Sequence, residues 1–439
     1  MFVNSDAELL STRILPQRKN RRDFLGFVLP ISVNIAQYIF LFIFICYSNY
    51  ANYNILASAM WKFSVELTQT ALSPAEWFRD GQFSMAHYIR EVLNMGFSLS
   101  VSQADAVLRA LKKDYRVYAP KRFPKQGRYS DTDIIRYAEV DSFSDIVWDT
   151  KSDYPAKEVI TPIQQAIFYF TEDEYRASKA KTKPILLLAR PCDINAQRIQ
   201  ARIYAGNGGY DDLYYTRVRE LVKFAVMDCN GGDDTCFCVS MGTNRTDDYA
   251  LALKFSYDGL LVEVADESLL PYFQDMSQAD YTHMFVEENE LKVTVPDLSD
   301  KAVRKALKTH PMWQEYNSRC ISCGSCTVAC STCTCFTTRD IIFGDNPEVG
   351  ERRRVTASCQ IAGFDQMAGQ REFRSTAADR MRYKILHKFH DYKARFGEEH
   401  MCVGCGRCTH RCPELISISA TVNKMSAAVE EIKASMASQ

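Results

Sequence analysis

The sequence carries almost no excess of charge. Its 53 lysines and arginines face 54 aspartates and glutamates, for a net charge of −1 at pH 7. A chain so balanced offers no electrostatic footprint for nucleic acid or an anionic surface, so no nucleic-acid partner is expected. Histidine is scarce, at seven residues, and none sits at a paired ligand spacing such as H-E-x-x-H. No G-x-G-x-x-G opens a helix after a strand, and no Walker loop appears. The "GNGG" of Gly206–Gly209 lacks the spacing. A nicotinamide or flavin cradled by such a loop is therefore not expected on this chain. No serine–histidine arrangement and no paired carboxylates stand out, so no catalytic residue is assigned.

What is abundant is cysteine, with sixteen residues in 439. Most are bunched two or three residues apart, too close for a disulfide framework. In a chain of this size such bunching points to metal ligation in a reducing compartment. The length suggests about three domains. Hydrophobic content of 46% and charged content of 24% are ordinary for a globular protein with a sizeable core.

The N-terminal extension, residues 1–94, differs from the rest. Basic "RKNRR" (Arg18–Arg22) precedes an uncharged apolar stretch from Phe24 to Tyr47. That stretch is long enough to span a bilayer, with its basic flank inside, although Pro30, Asn34 and Gln37 interrupt it. Three readings stay open: a membrane tether through 24–47, a cleaved export signal, or an extension foreign to a folded protein starting at Met60, Met85 or Met95.

From residue 95 to 300 the pattern is that of a mixed α/β domain. "SQADAVLRALKKDYRVYAP" reads as an amphipathic helix with Ala106, Leu108 and Leu111 inward. "PILLLAR" (Pro184–Arg190) is an apolar run of strand length. Helical patterns follow over Ile194–Tyr204 and Tyr214–Val222, and then the strand "KFAVMDC" (Lys223–Cys229). This is a β–α–β unit, which predicts a parallel pair. "ALKFSY" and "LLVEVA" read as two strands joined at Asp258-Gly259. Near "VPDLSDKAVRKAL", Asp297 or Ser299 is placed to cap a helix. Residues 301–439 then form a mainly helical region. Within it, Met381, Ile385, Leu386, Phe389 and Tyr392 recur at helical spacing on a basic amphipathic helix, and "TVNKMSAAVEEIKASMA" closes the chain as another helix. The fold class is therefore α+β: a mixed α/β domain followed by a mainly helical, cysteine-rich domain.

The centre of that second domain is a repeated spacing. Cys320, Cys323, Cys326 and Cys330 follow C-x2-C-x2-C-x3-C, and Cys402, Cys405, Cys408 and Cys412 repeat it before Pro413. This is the bacterial ferredoxin pattern for 4Fe–4S clusters. Each cubane needs four thiolates on four corners. A tight loop with a cysteine at every third residue wraps three of them, and the fourth comes after a chain reversal. In two-cluster ferredoxins the fourth cysteine of each run ligates the other cluster. The expected sets are thus Cys320, Cys323, Cys326 with Cys412, and Cys402, Cys405, Cys408 with Cys330. Two zinc sites would prefer separated C-x2–4-C pairs, and c-type haem attachment would need C-x-x-C-H, which is absent. Ser331 stands where proline usually follows the fourth cysteine. Cys333, Cys335 and Cys359 are further thiols, and a register shifted onto Cys333 and Cys335 in place of Cys330 stays open. His400, beside Cys402, either tunes a cluster or lies on the surface.

A third constellation is possible. Cys192 follows one strand of the β–α–β unit and Cys229 closes the next. The carboxyl ends of parallel neighbours lie together, where ligands usually bind. Cys236 and Cys238 ("CFC") return within ten residues of Cys229. These four thiols either converge to hold a third iron–sulfur cluster or pack as small apolar side chains.

The strings "SRCISCGSCTVACSTCTC", "GERRRVTASC", "HKFHDYKARFGEEHMCVGCGRCTHRCP" and "NKMSAAV" resemble the iron–sulfur electron-transfer subunit of anaerobic sulfite reductases, and "ARPCDINA", "CFCVSMGTN" and "GRYSDTD" resemble the N-terminal half of that protein. The resemblance spans roughly 95–435. It implies a cytoplasmic iron–sulfur protein with two 4Fe–4S clusters. Its implied partners are a second subunit, which binds flavin and NADH, and a third, sirohaem-bearing one that reduces sulfite to sulfide. The chain would then be a component of an oxidoreductase, not a catalyst alone. The β subunit of sulfhydrogenases shares the dicluster layout and is the alternative. An autonomous iron–sulfur enzyme is the rival of another class.

Overall fold

Ser100 sets the start of the first helix. Its side chain accepts from Gln103 N (3.4 Å), while the Gln103 side chain accepts from Ser100 N (2.9 Å). This reciprocal capping box satisfies donors the first turn would leave unpaired. The helix, Val101–Asp114, buries Ala104, Val107, Leu108 and Leu111. Ala106, expected inside, is exposed, because the buried stripe runs one position earlier around the helix. The helix also ends sooner than expected. Tyr115 turns extended, and "RVYAPKRF" forms a strand, drawn into a sheet that local periodicity does not reveal.

The computed structural model describes residues 96–179, 182–229, 231–397 and 399–438. The N-terminal extension and its apolar stretch 24–47 lie outside the described residues. Among the described residues no helix is long and apolar enough to cross a membrane.

The strands are β1 (Gly96–Ser100), β2 (Arg116–Phe123), β3 (Ile134–Glu139), β4 (Gln164–Phe170), β5 (Tyr175–Ala177), β6 (Ile185–Ala189), β7 (Val222–Met227), β8 (Leu251–Ser256), β9 (Gly259–Val264), β10 (Ser277–Ala279), β11 (Phe336–Ile342) and β12 (Gly350–Thr356). Eight form one sheet, ordered β10-β1-β9-β8-β7-β6-β2-β3. Its centre is parallel: β2 pairs with β6, β6 with β7 and β7 with β8. All five residues of β6 are buried, as a strand covered on both faces requires. One face packs on helix Val101–Asp114, with Leu99, Val117, Leu186 and Val262 in its core. The other packs Leu187, Phe224 and Val226 against Ile194 and Tyr215, from helices Pro191–Tyr204 and Leu213–Arg219. The expected β–α–β unit is thus present, with β6 and β7 in parallel register from Ile185↔Val222 to Ala189↔Val226.

The cysteine-rich region is mainly helical. Helix Lys301–Lys308 is capped by Asp300, whose side chain accepts from Ala302 N (2.6 Å). Asp297, one of the expected caps, instead closes its own turn onto Ser299. Trp313, Tyr316, Met381, Ile385, Phe389, Val422, Met425 and Val429 share one core there, with helices Ala377–Leu386 and Ile418–Ala437 supplying most of it. A single turn of π-helix, His387–Asp391, follows Leu386.

The α/β and cysteine-rich regions are interwoven. The hairpin β11–β12 completes a second, antiparallel sheet, β11-β12-β4-β5, whose other two strands come from before residue 180. Helix Pro191–Tyr204 also packs Ala196 and Ile199 against Tyr392, Met401, Val403 and Cys405. The boundary at residue 300 therefore marks a change of architecture within one body.

Leu187 is fully buried between the sheet and its helices. Leu187→Ala should destabilise the protein by about 2–5 kcal/mol, read as a lower denaturation midpoint at unchanged m-value.

Candidate metal centre

The two cysteine runs fold alike. In each, a glycine of positive φ opens a short helix: Gly324 (φ 79°) before Ser325–Val328, and Gly406 (φ 68°) before Arg407–His410. Each helix closes on the fourth cysteine, with Cys330 N donating to Thr327 O (3.3 Å) and Cys412 N to Thr409 O (3.1 Å). The two short helices pack on each other. Between the first two cysteines of each run lies another left-handed residue, Gly404 (φ 64°) in one and Ser322 (φ 58°) in the other. Serine is uncommon there. Arg380 holds it, donating from Nη2 to Ser322 Oγ at 2.8 Å. Gly404 is required by space as well: a Cβ on it would lie 2.5 Å from Phe237 O.

The thiols gather around two cavities. Cys320, Cys323, Cys326 and Cys412 line the first, together with Cys408, Gly324 and Met381. Cys402, Cys405, Cys408 and Cys330 line the second, with Phe237, Lys384 and Lys388. Each cavity thus takes three thiols from one run and the fourth cysteine of the other, with Cys408 lining both. Among the described residues no three histidine, cysteine or acidic side chains are arranged to hold one metal ion. A structural zinc ion needs its four ligands drawn tightly about it. A cubane needs one thiolate at each of four separate irons, so the donor set fits a cluster better than zinc.

The surroundings supply positive charge. The basic helix Ala377–Leu386 and the π-turn after it turn Lys384 and Lys388 inward, where both are buried, as is Lys157. Lys157 Nζ donates to Cys333 O (3.0 Å) and Lys388 Nζ to Thr332 Oγ1 (3.0 Å). Lys384 Nζ is buried with no hydrogen-bond partner among the described residues. Burial alone would depress its pKa, but the thiolates of Cys326, Cys333 and Cys408 hold it well above the ordinary lysine value. A lone buried ammonium is costly, and an anionic cluster in the adjoining cavity would compensate it. Periodicity could not reveal these inward lysines. The signal available was their alignment with Met381 and Ile385 on one helix face.

Ser331 has a specific role. Its hydroxyl donates to Asp193 Oδ1 (3.0 Å) and accepts from Arg407 Nη1 (3.1 Å). Arg407 lies within the second run and is fully buried. Its guanidinium grips Asp193 with both nitrogens, Nη1 to Oδ1 at 2.8 Å and Nη2 to Oδ2 at 2.6 Å. It also donates to Ser152 O (2.8 Å) and Ser152 Oγ (3.0 Å). All five N–H groups are therefore used.

Of the other thiols, Cys333 lies beside Cys330, and Cys335 beside Cys359. Neither Cys333 nor Cys335 lines either cavity, whereas Cys330 does. The neighbouring Cys335 thiol, helped by Lys384, outweighs burial and pushes Cys359 down to about 5. His400 lines neither cavity and lies beside Phe389. Cys192, Cys229, Cys236 and Cys238 lie near one another, outside both cavities. The charge of Cys238 is felt at Cys192, and those of Cys236 and Cys229 at Cys238.

Residues 319–416 match the family described as a 4Fe–4S dicluster domain. The chain thus carries a ferredoxin-type domain for two 4Fe–4S clusters, an iron–sulfur electron-transfer unit placed after a mixed α/β region. Over 320 residues it is 29% identical to the beta subunit of sulfhydrogenase 2 from Pyrococcus furiosus, covering 70% of this chain and 91% of that protein. That similarity supports an iron–sulfur protein related to oxidoreductase complexes in general, not sulfite reductase in particular. No solved structure matches the chain.

Two outcomes follow from these contacts. Arg407→Met leaves Asp193 charged and unpaired, so folding stability should fall by about 3–5 kcal/mol in denaturant titration. Lys384→Met removes a buried positive charge beside the clusters. Redox titration should then show at least one potential lowered by an amount on the order of tens of millivolts.

Proposed function

We propose that this chain is the iron–sulfur electron-transfer subunit of a multi-subunit oxidoreductase of the sulfhydrogenase β type. The eight thiols of the paired runs would hold its clusters, Cys320, Cys323, Cys326 and Cys412 one and Cys402, Cys405, Cys408 and Cys330 the other. The observation that carries this reading is the exchange of the fourth cysteines between the two cavities. Shared ligation fixes two clusters as neighbours, the arrangement that single-electron relay needs. Bound clusters supply one-electron redox chemistry. The protein supplies the ligands, the buried lysines that compensate their charge, and an apolar shell that excludes water.

A second reading is favoured by the strings around both cysteine runs. In it the complex is an anaerobic sulfite reductase, in which a flavin- and NADH-binding partner delivers electrons and a sirohaem-bearing partner consumes them. The sequence carries no nucleotide-binding loop of its own, which suits either assembly. The surroundings of the clusters, not their spacing, set the direction of flow, because such potentials span roughly −700 to +450 mV.

The ligand exchange is tested by Cys412→Ser. The electron paramagnetic resonance signal of the cluster built on the first run should change or vanish, while that of the second run persists. Damage confined to the second-run cluster would overturn the assignment. Tagged chain recovered from its native cell should bring a partner. A sirohaem-bearing partner places the chain with sulfite reductases, and one with hydrogenase activity places it with sulfhydrogenases. Sulfite turnover by the isolated chain with a chemical electron donor would overturn the subunit reading in favour of an autonomous enzyme.

A further inference from the structure

We propose that Cys192, Cys229, Cys236 and Cys238 hold a third iron–sulfur cluster, seated at the carboxyl edge of the parallel strands against the cavity of the second cysteine run. The proposal goes beyond the dicluster reading and rests on it only for the identity of the neighbouring group.

The sheet brings two of the thiols together. β6 ends at Ala189 and β7 at Met227, paired in parallel. Cys192 and Cys229 follow within three residues, at the edge where open α/β sheets bind their ligands. The other two arrive on the segment Thr235–Cys238, which is pressed onto the second run. Phe237 N donates to Gly404 O (2.8 Å). A Cβ on Gly406 would lie 2.2 Å from Thr235 O. Phe237 lines the second cavity, whereas Cys236 and Cys238 do not.

Two of the four thiols have charge partners that a packing role would not need. Arg190 Nη1 donates to Cys229 Sγ at 3.0 Å, while its Nη2 is fixed on Trp148 O at 3.0 Å. Lys151 Nζ, almost fully buried, lies 3.7 Å from Cys236 Sγ and is held by Asp233 (2.8 Å) and Thr235 (2.8 Å). Two largely buried cations are thus held against these thiols, charge that an anionic cluster would compensate. A further donor is left over. Asn289 is buried, and its Oδ1 accepts from Val239 N (2.8 Å) and lies 3.6 Å from Cys238 Sγ. Its Nδ2 has no partner among the described residues. That amide sits 2.8 Å from where a Cβ on Gly232 would stand, and the same Cβ would lie 3.4 Å from the Cys236 Cβ. A buried N–H without an acceptor, beside two thiols and a glycine, is placed to donate to cluster sulfur. Such outer hydrogen bonds orient and tune metal ligands.

Position gives the third site its use. Cys236 Sγ is 3.7 Å from Cys405 O, and Cys192 packs against the apolar cluster that contains Cys405. The third site thus adjoins the second-run cavity, which shares Cys408 with the first. A cluster at the third site would extend the relay into the α/β layers. Each transfer moves one electron, so one cluster loses an electron as its neighbour gains it. Cys333, Cys335 and Cys359 are the competing thiols, but they number three, and the thiol beside them, Cys330, lines the second-run cavity.

The test is an iron count on the full chain, purified without oxygen and reconstituted with ferrous iron and sulfide. About twelve irons and about twelve acid-labile sulfides per chain are expected, four for each cluster. About eight or fewer overturns the third cluster, and a count well below eight removes the dicluster reading as well. A Cys229→Ser/Cys238→Ser variant should lose about a third of the iron and keep the paramagnetic signals of the other two clusters. Unchanged iron in that variant, with loss in Cys335→Ser/Cys359→Ser instead, also overturns the assignment. Should the first variant not fold, the wild-type chain gives a second readout. Alkylation mapped by mass spectrometry should find the four thiols protected with iron bound and reactive once it is chelated, and equal reactivity in both states overturns the proposal.

Discussion

The arrangement of the cysteines depends on one buried ion pair. Arg407 and Asp193 come from distant parts of the chain, one from the second cysteine run and the other from the helix after β6. A charge pair withdrawn from water is expensive unless its geometry is close to ideal and every remaining polar atom is used. Here the pairing is bidentate and all five guanidinium protons have acceptors. Tyr137 donates to Asp193 Oδ2 at 3.2 Å as well. Such a network is less a source of net stability than a means of specifying one arrangement. It ties four segments to one point: Ser152, the start of the helix after β6, the loop after Cys330, and the second run. Cys192 adjoins Asp193, Cys330 adjoins Ser331, and Cys408 adjoins Arg407. The positions of three thiols are thus set by one guanidinium.

Charge compensation is the second constraint. Thiolates gathered in an apolar interior repel one another, and burial raises the pKa of Cys402 to about 12 against the opposing pull of Lys388. A protein that assembles many thiols must bring cations inside with them. Lys157, Lys384, Lys388 and Arg407 serve this purpose, and the helix and π-turn from Ala377 to Asp391 deliver two of them. The cost of burying ammonium groups would be offset by anionic clusters on the thiols beside them.

Much of this was legible in the sequence, and the boundary has a physical basis. The two cysteine runs could be read because cluster ligation constrains neighbouring residues, and a local constraint leaves a local spacing. β6, β7 and the helices between them were legible for the same reason. Ser331 was not. Its departure from proline looks like lost rigidity until Asp193, 138 residues earlier, is seen to accept its hydroxyl proton. The inward lysines were hidden because amphipathic reasoning assigns charge to solvent. The helix over 102–120 was overextended because β2 is stabilised by pairing with β6, across more than sixty residues, and not by its own propensity. The pairing of β4 with β12 was invisible on the same grounds.

The interweaving bears on how such a protein passes electrons. In a free-standing ferredoxin the clusters sit near solvent and meet partners by diffusion. Here the α/β layers share a sheet, a helix contact and an ion pair with the cysteine-rich region, so the two cannot move apart without unpairing Arg407. The distance between any redox group at the carboxyl edge of β6 and β7 and the second-run cavity is therefore fixed. One-electron transfer between groups held at fixed separation needs no docking event within the chain. What remains for partners is to approach the two ends. The first-run end is the more open, because Ile321, Leu415 and Cys323 are exposed around it, whereas Cys330 and Cys405, in the second cavity, are buried. A route with one accessible end and a closed middle suits an electron conduit built into a larger assembly.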